Sequence, residues 1–257
     1  MKYVLLPLLS FVAVLSPLAV GATTIVAIWS SDRIVIAADS RRTSLLDGSY
    51  AQVCKIRNEG SVWYATAGLY EASIEGFNIS KIVHEVYLES PVKEHLLGFT
   101  MYLSPAIGQA LVSVRERIDA VLSTNPNLNF ADIVMVAKEK DGLRAVHYRT
   151  DISRTVPRTS ANGVRSMAFW GEEEDIPTKN PLGMEIIGAG RTEAIAEYIR
   201  ANPQWTKERD PVSVARMFVQ MEIDRHPNEV GGPIAILTIE SNGSVQWKDR
   251  AACLEGK

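Results

Sequence analysis

The sequence predicts one domain of the α+β class, built on antiparallel sheets. Three observations carry this. Strand-like and helix-like stretches come in blocks, ordered β-rich, two helices, β-rich, two helices, β-hairpin, which differs from the regular alternation of a parallel βαβ array. Hairpin turn signals at Asn58-Glu59-Gly60, Lys140-Asp141-Gly142 and Asn242-Gly243 join neighbouring strands. The 257 residues are 46% apolar and 22% charged, enough for one well-buried core and against disorder.

The N-terminus comes first and reads as a targeting segment. Lys2 supplies a positive start, Val4 to Val20 is apolar, and Val20-Gly21-Ala22 ends in small residues, so cleavage is expected after Ala22. An uncleaved membrane anchor is the alternative, with Pro7 and Pro17 against it. Residues 1–22 are therefore expected to be a signal peptide and residues 23–257 a single exported domain, periplasmic or secreted, with no membrane association once cleaved. Removing that segment deletes only Lys2 among the charged groups and takes the net charge from −3 to −4. No Lys/Arg run or basic-aromatic interleaving occurs, so nucleic acid is not an expected partner.

The β-branched and apolar run Thr23-Thr24-Ile25-Val26-Ala27-Ile28-Trp29, a break at Ser31-Asp32 and the run Arg33 to Ala38 predict a hairpin. A loop through Asp47-Gly48 leads to expected strands at Gln52–Arg57 and Ser61–Ala67. Ile79, Ile82, Val83 and Val86 recur at helical spacing, as do Ile107, Leu111, Val114, Ile118 and Val121. Asp132–Ala137 and Ala145–Tyr148 form a second hairpin, and Val164–Trp170 can extend its sheet. The stretch from Arg149 to Gly183, with Glu172-Glu173-Glu174-Asp175, reads as a long surface excursion. Thr192–Ala201 and Pro211–Arg225 are expected helices, and Pro233–Glu240 with Ser244–Lys248 a closing hairpin.

Cys54 and Cys253 are the only cysteines, which permits either one disulfide or two buried thiols. There is no C-x-x-C, and His84, His95, His147 and His226 are scattered, so neither a metal nor another cofactor is expected.

Catalytic chemistry is suggested by the residue that cleavage would expose. A threonine hydroxyl is a weak nucleophile without an adjacent base, and a threonine at a chain terminus carries one in its own α-amine. That amine has a pKa of about 7.7–8.0, close enough to neutrality to accept a proton, whereas lysine near 10.4 is almost wholly charged. A neighbouring lysine can lower the amine's pKa and stabilise developing negative charge, with a carboxylate to position it. Asp39 follows Thr23 by 16 residues, at the end of the second strand, and Lys55 follows it by 32, in the expected third. Adjacent strands could bring the three together.

Thr23-Thr24-Ile25-Val26-Ala27, Val35-Ile36-Ala37-Ala38-Asp39, Thr43, Lys55 and Ala67-Gly68 resemble the proteasome β subunit and, more closely, the peptidase of the HslUV protease. The resemblance implies a four-layer αββα sandwich over about residues 23–250, with Thr23 as nucleophile and an Asp39–Lys55 pair beside it. It implies that the backbone at Thr43 holds substrate as an added strand, and that the N–H of Gly68, one residue out of register, forms the oxyanion hole. A peptide or unfolded-protein substrate and a homo-oligomeric ring are implied as partners.

Departures from the pattern are visible. Arg191, in Gly188-Ala189-Gly190-Arg191, stands where proteasome subunits place a serine assisting the terminal amine. Pro227 and Val230 replace polar residues before Gly231-Gly232, and Ala22 replaces the usual glycine ahead of the nucleophile. The functional expectation is an exported threonine peptidase or amidase working through an acyl-enzyme; the alternative is an inactive binding or shell protein of the same fold. A serine hydrolase is disfavoured because no G-x-S-x-G occurs.

Overall fold

β1 (Thr24–Trp29) is buried at every position, so it needs cover on both faces, and the architecture supplies it. The computed structural model describes residues 23–30, 32–43, 49–68, 77–114, 131–152, 164–170, 184–205, 210–250 and 253. The expected signal segment, residues 1–22, lies outside that set.

β2 (Arg33–Ala38) pairs antiparallel with β1 as the expected hairpin, Ile25 opposite Ala38 and Trp29 opposite Ile34. β10 (Glu185–Gly190) flanks β1 on its other edge, and the closing hairpin of β11 (Ala235–Glu240) and β12 (Val245–Asp249) joins through β2, giving the order β10-β1-β2-β11-β12. The second sheet runs β5-β6-β7-β8-β9, made of β5 (Ile56–Glu59), β6 (Val62–Ala67), β7 (Ala131–Glu139), β8 (Gly142–Ile152) and β9 (Val164–Trp170). A short ribbon, β3 (Arg41–Thr43) with β4 (Tyr50–Gln52), stands apart from both.

The helices are α1 (Ile79–Glu89), α2 (Leu96–Ser113), α3 (Glu193–Ala201) and α4 (Pro211–Arg225). Three apolar layers hold the four structural layers together. Ile25, Ala27, Ile36 and Ala38 face Ile56, Ala65, Val134 and Val136 between the sheets. The alternate residues Val26, Ile28, Val35 and Ala37 turn the other way, onto Ile195, Val214, Phe218 and Val219 of α3 and α4. On the far side, Tyr64, Ile133, Met135 and Tyr148 pack on Val83, Phe99, Leu103 and Ile107 of α1 and α2. The period-two alternation of each strand thus feeds two cores at once, and the result is the αββα sandwich.

The structure corrects several element boundaries. α2 begins at Leu96, ahead of the Ile107 stripe: Phe99 and Leu103 extend that stripe backward, and Pro105 is accommodated on the exposed face. Ile118 and Val121 lie outside the described residues. The expected strand at Gln52–Arg57 is divided, with Val53–Lys55 a connection between β4 and β5, so Lys55 immediately precedes its strand. The expected excursion after Arg149 is partly sheet, since β8 continues to Ile152 and pairs with β9 from Ile152↔Val164 to Val146↔Trp170. The acidic run at residues 172–175 lies outside the described residues.

Cys54 and Cys253 form a disulfide that closes a sequence separation of 199 residues, with Cα atoms 4.6 Å apart. It fastens the last described residue of the chain to the connection that carries Lys55. A cross-link of this kind is worth about 2–4 kcal/mol. Paired Cys54→Ala and Cys253→Ala substitutions, or reduction, are expected to lower Tm by about 5–15 °C, measured by calorimetry with and without reductant.

Candidate functional site

The site begins with a carboxylate that has to be satisfied. Asp39 ends the β2 segment, its side chain is removed from solvent, and each oxygen accepts two hydrogen bonds. Oδ1 accepts from the Thr24 N–H at 3.0 Å and from Lys55 Nζ at 2.8 Å. Oδ2 accepts from the N–H groups of Arg41 and Gly231, both at 3.1 Å. Four donors from four different parts of the chain therefore converge on one side chain, matching the rule that buried charge is paired and hydrogen-bonded.

Lys55 is 4% exposed and lies between two oxygens: its ammonium donates to Asp39 and, at 2.8 Å, to Thr23 Oγ1. Burial pushes its pKa below the ordinary lysine value, Asp39's charge and hydrogen bond oppose that, and nearby Arg41 adds to the lowering. The structure thus brings together the three residues named from the sequence, with Lys55 as the bridge. Placing Lys55 in a connection instead of a regular strand lets its side chain reach both neighbours.

Thr23 is held by its own backbone. Its carbonyl accepts from the Arg191 N–H at 2.7 Å, while Thr24 Oγ1 donates to the Arg191 carbonyl at 3.0 Å. Gly190 makes this approach possible: its φ is +75°, and a Cβ there would fall 1.9 Å from the Thr23 carbonyl oxygen and 3.2 Å from Ala67 Cβ. The segment Gly188–Gly190 is the end of β10, in register with β1 from Trp29↔Glu185 to Thr24↔Gly190.

Gly68 directly follows Ala67, which that contact places against the Thr23 turn, and its φ of +88° is a conformation suited to glycine. Thr43 closes β3 opposite Tyr50, four residues from Asp39. Arg191 does not present its side chain in the manner of a serine. Its guanidinium is bound by Glu229, at 2.7 and 2.9 Å, and by Glu193 at 3.0 Å. Pro227 and Val230 lie in the turn between α4 and Gly231, where the Val230 side chain is fully buried.

One participant was missed from the sequence. Asp132, in β7 of the other sheet, accepts from the Gly190 N–H at 2.9 Å through Oδ2, and its Oδ1 is paired with His147 of β8. It ties the second sheet to the turn that holds Thr23. The available signal was a carboxylate inside the apolar run Ala131-Asp132-Ile133-Val134, a position at which a buried acid requires partners.

No protein-family profile and no curated protein matches the chain. Solved structures do. Anbu from Hyphomicrobium sp. strain MC1 superposes with a TM-score of 0.53 at 13% identity, over 89% of this chain and 88% of the other. Anbu (ancestral beta-subunit) from Yersinia bercovieri gives 0.52 at 13% identity, over 90% and 88%. With two five-stranded antiparallel sheets between helical layers and Thr23 at the head of β1, the chain has the fold of the Anbu ancestral β-subunits, the proteasome-β-like N-terminal-nucleophile hydrolase architecture.

Proposed function

We propose that this protein is an exported threonine peptidase or amidase whose nucleophile is Thr23, exposed by removal of residues 1–22. The observation that carries the reading is the chain of contacts Asp39–Lys55–Thr23, two links of 2.8 Å inside a buried site at the start of β1. Lys55 donates to the Thr23 hydroxyl oxygen, so the oxygen's developing negative charge on losing its proton is met at once by a fixed cation.

Once Thr23 begins the chain, its α-amine is the base that takes the hydroxyl proton, directly or through water. Oγ1 attacks the substrate carbonyl carbon, the amide C–N bond breaks, and the leaving amine takes the proton. Water then cleaves the resulting ester, releasing the acid and restoring the Thr23 hydroxyl. The Gly68 N–H is the proposed donor to the oxyanion, and the backbone at Thr43 the proposed edge that holds an extended substrate. Asp39 positions Lys55, and Asp132 positions Gly190 and so the backbone of Thr23. Val20-Gly21-Ala22 supports cleavage by signal peptidase instead of self-processing, since glycine is absent from the position before Thr23.

A ring or smaller homo-oligomer is part of the proposal. Leu88 on α1 and Met101 and Tyr102 on α2 are 63%, 72% and 47% exposed, large apolar side chains available to a second copy. Light scattering of the processed protein is expected to give a multiple of the single-chain mass; a monomer at micromolar concentration removes this part of the reading.

N-terminal sequencing of the exported protein is expected to begin at Thr23. Thr23→Ala should abolish cleavage of a small peptide amide while export and folding persist. An export-blocked chain that starts at Met1 should be slower by about 10²–10⁴-fold, because an amide nitrogen cannot act as the base. If that cytoplasmic chain matures unaided while its Thr23→Ala form stays uncut, self-processing replaces signal peptidase. A processed wild-type protein inert toward peptides and amides would favour the binding or shell role.

Asp39→Asn tests the pairing through pH. Asp39 raises the Lys55 pKa against burial, so its neutralisation lowers that pKa further. The alkaline limb of the rate profile, where Lys55 loses its proton, should then move to lower pH, with most activity lost. Circular dichroism must accompany the assay, since breaking a buried pair costs about 3–5 kcal/mol. A profile superimposable on wild type would count against the pairing.

A further inference from the structure

The packing of α3 on α4 leaves a small polar cluster that the proposed chemistry does not use. Glu222 and His226 lie one turn apart at the end of α4, and Glu193 opens α3 opposite them. Glu222 is fully buried in an otherwise apolar helix interface. Its Oε1 accepts from the Ile195 N–H at 3.0 Å, but its Oε2 is buried without a hydrogen-bond partner. The same is true of His226 Nε2. Both atoms lie within 4.8 Å of each other and of a carboxylate oxygen of the exposed Glu193.

The distances distinguish two explanations. A protonated histidine satisfying one of these carboxylates would sit about 2.7–2.9 Å from it, the range of a charge-assisted hydrogen bond. His226 Nε2 is 3.7 Å from Glu222 Oε2 and also 3.7 Å from Glu193 Oε2. Nitrogen and oxygen ligands held about 2.0–2.2 Å from one tetrahedral ion lie roughly 3.3–3.6 Å from each other. The three ligand atoms all fall within 4.8 Å of one another. The spacing is therefore close to that of a shared ion and too long for a direct bond.

We infer that Glu193, Glu222 and His226 form a binding site for a divalent first-row transition ion of the zinc type, with a fourth position open to water on the Glu193 side. Two carboxylates and an imidazole suit such an ion in charge and in ligand type. Its role is that of a clamp. Glu193 Oε1 remains bonded to Arg191 at 3.0 Å while Oε2, which accepts from the Thr192 N–H at 3.2 Å, faces the ion position, so binding fixes the α3 N-terminus and, two residues earlier, the backbone N–H that holds the Thr23 carbonyl. Histidine spacing alone does not point to this cluster, because the third ligand comes from a separate helix 29 residues before Glu222.

The inference does not depend on hydrolytic activity, and its test reads binding and stability. The exported full chain, stripped with EDTA and returned to chelator-free buffer, is titrated with Zn²⁺ against a chromophoric chelator, and its Tm is measured in parallel. One equivalent should bind, and Tm should rise by about 5–10 °C at a hundredfold excess over Kd. Glu193→Gln keeps a hydrogen-bonding group toward Arg191 at an exposed position and should weaken binding at least tenfold without impairing folding. His226→Gln should abolish both binding and the Tm rise. No binding by the stripped wild type overturns the inference, as does wild-type affinity in both variants, which would place the ion on another surface pair such as His84 with Glu59.

Discussion

A buried lysine–aspartate pair organises this molecule. Taking two charges out of water costs several kcal/mol per ion, and their attraction repays that only when the remaining lone pairs are also satisfied. Asp39 meets the condition by drawing backbone donors from Thr24, Arg41 and Gly231 in addition to the Lys55 ammonium. These residues belong to β1, to β3 and to the turn before β11. The local routes of three segments are thereby coupled to one carboxylate. The pair is a specifying constraint more than a source of stability, and the hydroxyl of Thr23 is what its free side faces.

The rest of the fold serves that constraint by covering it. β1 and β2 present small or β-branched residues to both faces, so two helices can seal one side and a second sheet the other. Asp132 adds a polar crossing between the sheets where apolar packing would leave the Gly190 N–H unpaired. The turn at Gly190 and Arg191 is thus held by Asp132, by the Thr23 carbonyl and by the two glutamates on the Arg191 guanidinium. A short backbone approach to Thr23 needs that many supports, because no side chain can stand at position 190.

Much of this was legible in the sequence where the pattern is local and repetitive. The two β-branched, apolar runs in residues 23–38, broken at Ser31-Asp32, predict the hairpin, and the Asp-Gly and Asn-Gly turns predict two more. Helix α4 is announced by Asp210-Pro211, an acidic cap followed by proline at the first helical position. β10 was obscured because Gly188, Ala189 and Gly190 have little strand propensity; its place is set by the edge of β1, a tertiary cause. Lys55 was legible as a residue type at a spacing, but its removal from a regular strand was not, since the division of β4 from β5 depends on the Val53 N–H reaching the Ser40 carbonyl. Asp132, Glu222 and His226 were missed for one reason: a polar residue within an apolar stretch indicates that a partner exists, while the partner's identity depends on which elements pack together.

The cross-link between Cys54 and Cys253 carries a consequence for the order in which the molecule is made. A ribosome delivers Cys54 long before its partner, and the sequence separation of 199 residues takes in every strand from β5 to β12. Cys54, beside the lysine on which the site depends, can therefore meet its mate only after Cys253 has emerged. The segment that carries Lys55 is therefore cross-linked only after β5 to β12 have been synthesised.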